Sequence, residues 1–215
     1  VLHSSHHAQS RLDNPLESSL KLADGYITLG QLLSPGWRMP NLYDVFISCC
    51  KTGLGVTEIT DDILTLATGF LCAGARSVVS TLWSVDDIAT SIFSIIYHQN
   101  RKQGLNRPQS LQQAQIQLRT MNSETLAVTY KPLLEPMLSE KLKYSETNRK
   151  EVKRQQSQFS DDSLERKNLE AEYDKWNKLS RQISQTKKRL EWLCQQEYPF
   201  ENPVYWAAFV CHGLS

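Results

Sequence analysis

Short apolar runs that alternate with helix-length amphipathic stretches limit this chain's choices more than any other feature. Residues 43–48 form one run, through Val45, Phe46 and Ile47, and residues 77–83 form a second. Both are short, bounded by turn residues and apolar on both faces, as buried strands are. Between them Ile63, Leu64, Leu66, Ala67, Phe70 and Leu71 recur at helical spacing, with Thr60 or Asp61 as N-cap and Gly74 as the stop. Asp86 and Asp87 open the next helix, which runs through Ile88, Ile92, Ile95 and Ile96; carboxylates suit the positive end of a helix dipole. A further helix starts near Pro108 and Ser110 and carries Leu111, Ala114, Ile116 and Leu118. A last apolar run, residues 204–212, reads as an interior strand. Parallel strands need crossovers of this length, so the fold class is α/β: a mostly parallel sheet flanked by helices.

Composition divides the chain into a core at residues 1–122, a charged segment at 123–196 and a closing strand of the same core at 197–215. The charged segment has no glycine and mixes 15 basic with 12 acidic residues. Leu169, Trp176, Ile183 and Leu190 recur every seven residues, and Leu179 and Leu193 fall on a second row. This predicts a helix of about 30 residues, half of an antiparallel helical hairpin inserted before the last strand. Residues 143–162, nearly free of apolar side chains, fit a solvated helix, a loop or disorder alike. Arg149, Lys150, Lys153 and Arg154 form a short basic patch, but Glu146 and Glu151 interleave with it, so it reads as a solvated face. With 24 basic and 23 acidic residues overall, the chain has no global field to recruit nucleic acid or an anionic membrane. Its apolar runs also fall short of the ~20 residues of a bilayer span. Val1-Leu2-His3 enters an apparent strand at once, so upstream strands are expected to be missing from this sequence.

A cysteine at the carboxyl end of a parallel strand, followed by a glycine-containing turn, sits where an α/β sheet exposes side chains to a crevice. Cys50 has that position, ahead of the Lys51-Thr52-Gly53-Leu54-Gly55 turn. A thiol titrating near 8.5 is only partly ionised at neutral pH, and a base must stand beside it. His7, at the end of the Val1-Leu2 strand, is the candidate. The five cysteines include no C-x-x-C pair, which argues against zinc and for a reducing compartment, the cytoplasm. Cys49 and Cys72 read as small core residues, and Trp83, Tyr205, Trp206 and Phe209 as core aromatics.

Several blocks in order are similar to CHAT domains, the caspase-like clan CD cysteine peptidases associated with tetratricopeptide repeats. Val1 to Leu20 resembles the family's L-H-F-x-x-H-G block and its following P-L-x-S-x-L element, which puts the family's histidine on His7. Leu22-Ala-Asp-Gly-Tyr-Ile-Thr-Leu29 resembles L-x-D-G-x-L-T-L. Ile47-Ser-Cys-Cys-Lys-Thr-Gly53 stands where the family has L-S-A-C-E-T-G, which puts the nucleophile on Cys50. Ala73 to Asp87, and Pro203-Val-Tyr-Trp-Ala-Ala-Phe-Val210, follow the pattern closely. The heptad segment is not part of it.

The resemblance implies hydrolysis of peptide bonds in a protein substrate by a Cys50–His7 dyad, with backbone N–H groups of Ala8 and Cys50 as the oxyanion hole and no cofactor or metal. It also implies an upstream tetratricopeptide-repeat region and a bacterial setting. Asp86 and Asp87, just past the 77–83 strand, are candidates for a pocket that takes a basic side chain; helix capping is their other reading. Two departures stand out. Ala8 replaces the family's glycine after the histidine, and Lys51 replaces its acidic residue after the cysteine. They support an alternative, a degenerate CHAT domain that acts as an interaction scaffold through its helical insertion.

Overall fold

A computed structural model describes residues 1–4, 8–9, 11, 13–22, 24–47, 65–159 and 163–213. The chain forms two compact units, Val1–Thr120 with Phe200–Ser215, and Met121–Pro199.

The first unit runs β1 (Leu2–Ser4), β2 (Ala8–Gln9), β3 (Ser19–Leu22), β4 (Gly25–Thr28), α1 (Leu29–Leu33), β5 (Asp44–Ile47), α2 (Leu66–Cys72), β6 (Ser77–Thr81), α3 (Asp87–Lys102), α4 (Arg107–Arg119) and β7 (Phe209–Gly213). Four strands make the main sheet in the order β1-β5-β6-β7. The first two pairings are parallel and the last is antiparallel. A small antiparallel sheet, β2-β3-β4, stands apart from it.

Alternation along the strands decides what covers each face. Val45, Ile47 and Val78 point to one side and pack with Leu32 of α1 and Ala67 and Phe70 of α2. Phe46 and Phe209 point to the other side and meet Phe93 of α3. Each ~25 cal/mol per Å² of apolar surface buried this way favours the layered arrangement. Capping fixes the helix starts. Thr65 accepts from the Thr68 amide at α2, and Asn106 and Gln109 form a reciprocal capping box at α4. Thr60, Asp61, Ile63 and Leu64 lie outside the described residues. Gly74 ends α2 at φ +118°, and a Cβ there would lie 2.9 Å from the Met39 carbonyl oxygen.

Local details differ from the sequence expectation in four places. The final strand begins only at Phe209, after a 3-10 turn at Pro203–Tyr205, and is the terminal strand of the sheet, not an interior one. Its antiparallel direction follows because the chain returns to β6 from that strand's carboxyl end. β6 stops at Thr81, leaving Leu82 59% exposed and Trp83 36% exposed. Of the four aromatics expected in the core, only Phe209 is fully buried. Cys72, at the end of α2, is exposed rather than core, and Cys49 lies outside the described residues. Ile116 is exposed too, because the inward stripe of α4 is Ser110, Ala114 and Leu118 at four-residue steps.

The second unit contains α5 (Ser123–Thr125), a π-turn at Leu126–Tyr130, α6 (Lys131–Gln156) and α7 (Leu164–Leu193). The seven-residue row accounts for α7, and Ile183 and Leu190 are buried on it. Residues 143–156, for which the sequence left three options open, are helical. Lys187 Nζ donates to Ser139 Oγ at 2.9 Å, Ser145 and Ser180 hydroxyls meet at 2.9 Å, and Arg149 donates to Asn177 Oδ1 at 3.1 Å. Partners therefore descend along α7 as they ascend along α6, and the two helices are antiparallel. The second row needs correction. Leu193 is buried, but Leu179 is 37% exposed and Ser180 takes the inward place beside it. A knobs-into-holes seam steps alternately by four and three residues, through Trp176, Ser180, Ile183, Lys187 and Leu190. Ser145 donates to the Leu142 carbonyl, so the single remaining proton of the buried pair comes from Ser180. The basic patch is solvated as expected, with Arg154 paired to Glu151 one turn away.

Candidate functional site

The parallel pairing of β1 with β5 builds the site's frame. Leu2 faces Val45, His3 faces Phe46 and Ser4 faces Ile47. A slip of one residue would turn Val45 and Ile47 out of the core, so burial pins this register. In sequence, His7 comes three residues after Ser4, and Cys50 three after Ile47. Strands β1 and β5 themselves end, at Ser4 and Ile47, on the same carboxyl edge of the sheet, the edge where open α/β sheets bind ligands. His7, Cys50 and Lys51 themselves lie outside the described residues. Ala8 opens β2, its backbone paired antiparallel with Leu20. Extended backbone is open to any L-residue, so the alanine that replaces the family pattern's glycine is conformationally at ease there.

The same edge receives the end of β6, since Phe46 pairs with Val79 in parallel register. Beyond Thr81 come Leu82 and Trp83, then Asp86 and Asp87. Asp86 is the N-cap of α3: its Oδ1 accepts from the amides of Ile88 at 2.9 Å and Ala89 at 3.2 Å. Asp87 is exposed in the first turn, and Arg101 and Lys102 occupy the last, so both helix ends carry the charge that opposes the dipole. Capping thus claims Asp86. Replacing it by alanine is expected to cost about 1 kcal/mol of stability, whereas Asp86→Asn, which keeps the cap without the charge, leaves stability nearly unchanged. Chemical denaturation of the two variants measures the difference. Equal losses in both would mean that charge, not capping, is what Asp86 contributes.

Sequence reasoning missed the exposed end of β6, because Leu82 and Trp83 continue the apolar run without a break. Trp83 Nε1 donates to the Val204 carbonyl at 3.1 Å, tying this edge to the turn before β7. Among the described residues no group of three or more histidine, cysteine or carboxylate side chains is arranged to hold a metal ion. No described helix is long and apolar enough to cross a membrane.

The family model described as the CHAT domain matches residues 1–214. No curated protein matches the chain.

Proposed function

The chain belongs to the CHAT domain family, and on that premise we propose that it is a caspase-like cysteine endopeptidase domain. The observation that carries this reading is the in-register parallel pairing of β1 with β5, whose chain exits lead to the histidine and cysteine blocks. His7 takes the proton of the Cys50 thiol, and the thiolate attacks the scissile carbonyl carbon. The carbon–nitrogen bond then breaks as His7 hands that proton to the leaving amine. Water, deprotonated by His7, cleaves the resulting thioester and regenerates the thiol. Backbone N–H groups of Ala8 and Cys50 stabilise the oxyanion in both steps. Asp87, exposed at the same edge, favours a basic side chain before the cut. The setting is cytoplasmic, with an upstream tetratricopeptide-repeat region presenting the protein substrate.

A second reading has one observation in its favour, Lys51 in the place of the family pattern's acidic residue. It makes the chain a non-hydrolytic scaffold whose α6–α7 hairpin recruits a partner protein. Labelling separates the two. A peptidyl acyloxymethylketone is expected to alkylate Cys50 and not the adjacent Cys49, read by mass spectrometry of the digested protein. Equal modification of all five thiols would favour the scaffold.

A further inference from the structure

We propose that His3 and His98 form a two-imidazole site for a borderline divalent cation, Zn2+, Cu2+ or Ni2+, which fastens strand β1 to helix α3. The two residues are 95 positions apart, yet His3 Nδ1 and His98 Nε2 lie 3.2 Å from each other. An ion that binds two nitrogens tetrahedrally at about 2.0–2.1 Å holds them about 3.3 Å apart, close to the spacing the two rings already have.

Aromatic packing on Phe46 holds both rings, whose own centroids are 5.5 Å apart. His3 lies over Phe46 with centroids 4.9 Å apart and planes 18° from parallel. His98 stands edge-on to Tyr97 at 5.3 Å and 74°, and is tilted against Phe46 at 5.6 Å. In the metal-free chain the facing nitrogens share one proton as a hydrogen bond. Moving that proton to the outer nitrogen of its ring leaves two lone pairs facing the ion. The Asp44 carboxylate near His98 is already paired with Arg101 and Arg107. Among the described residues no third histidine, cysteine or carboxylate joins the pair. Imidazole ligation selects Zn2+, Cu2+ and Ni2+ over the oxygen-seeking Mg2+.

The test is a Cu2+ titration of the whole chain followed by electron paramagnetic resonance, with Zn2+ and Mg2+ compared by thermal melting. Cu2+ is expected to show two equatorial nitrogens, and Zn2+ but not Mg2+ to raise the melting temperature. His3→Phe, which keeps the stack on Phe46, and His98→Gln, which keeps a hydrogen-bonding side chain, are each expected to weaken Cu2+ binding at least tenfold. His6, His7, Cys49 and Cys50 are competing ligands that stand next to one another in sequence, as are Cys211 and His212, and a chain with these six replaced by alanine is expected to bind as the parent does. Sulfur ligation in the parent spectrum, loss of the ion from the six-alanine chain, or parental affinity in His98→Gln would overturn the proposal. His3→Phe and His98→Gln each remove one ligand from a different element, so parental affinity in whichever of them folds decides.

Discussion

Replacing His7 by alanine is expected to slow hydrolysis of a peptide amide by about 10³-fold while slowing an activated ester of the same peptide far less. The asymmetry follows from what the imidazole does. Without it a few per cent of the Cys50 thiol is still ionised at neutral pH, so a nucleophile remains. An amide, however, must expel an amine, which leaves readily only if it is protonated as the carbon–nitrogen bond breaks. An ester with a good leaving group needs no such proton. General acid–base assistance by a positioned side chain contributes about 10²–10⁴-fold, and the amide loses that whole contribution. Comparing kcat/KM on the two substrates, with Cys50→Ala as the baseline, gives the result. A parallel loss below about tenfold on both would remove His7 from the dyad and leave the scaffold reading in possession.

The largest structural effect is expected at Phe93. Its ring is fully buried and lies flat against Phe209 of β7, with centroids 3.6 Å apart and planes 4° from parallel. It also touches Phe46 of β5, so one side chain of α3 contacts both a central and a terminal strand of the sheet. Truncation to alanine removes the ring and leaves a cavity that β7 can close only by leaving its antiparallel pairing with β6. Such a change costs about 3–5 kcal/mol. For a chain of this size it lowers the melting temperature by roughly 10 °C, measured by scanning calorimetry. Phe93→Leu, which refills most of the volume, is expected to lose less than half as much. A Phe93→Ala melting temperature within about 2 °C of the parent would mean that α3 is not what holds β7 in place.

How much of this was readable beforehand varies with the range of the interaction. The β5 and β6 strands, α3 with its acidic start, and the 30-residue α7 all follow from local pattern, because side-chain direction repeats every two residues in a strand and every 3.6 in a helix. The family blocks likewise carried the candidate dyad without any coordinates. Where the reading failed, a distant partner intervened. Leu179 was assigned to the hairpin seam by a strict seven-residue count, but the facing Ser145 draws Ser180 inward in its place. Trp83 extended an apolar run into the open because β6 ends at Thr81. Residues 143–156 left helix, loop and disorder equally open, since α6 becomes a helix through its packing on α7 more than through its own composition.

From the sequence alone came the kinds of element, their order and the two residues proposed to do the chemistry, because backbone geometry and motif spacing are properties of neighbouring residues. Only the folded chain decided the register in which β1 pairs with β5, that β7 runs back along β6, and that His3 meets His98 across 95 residues. Those pairings are selected by which apolar faces can be buried together. No stretch of sequence carries that information until the others are packed against it.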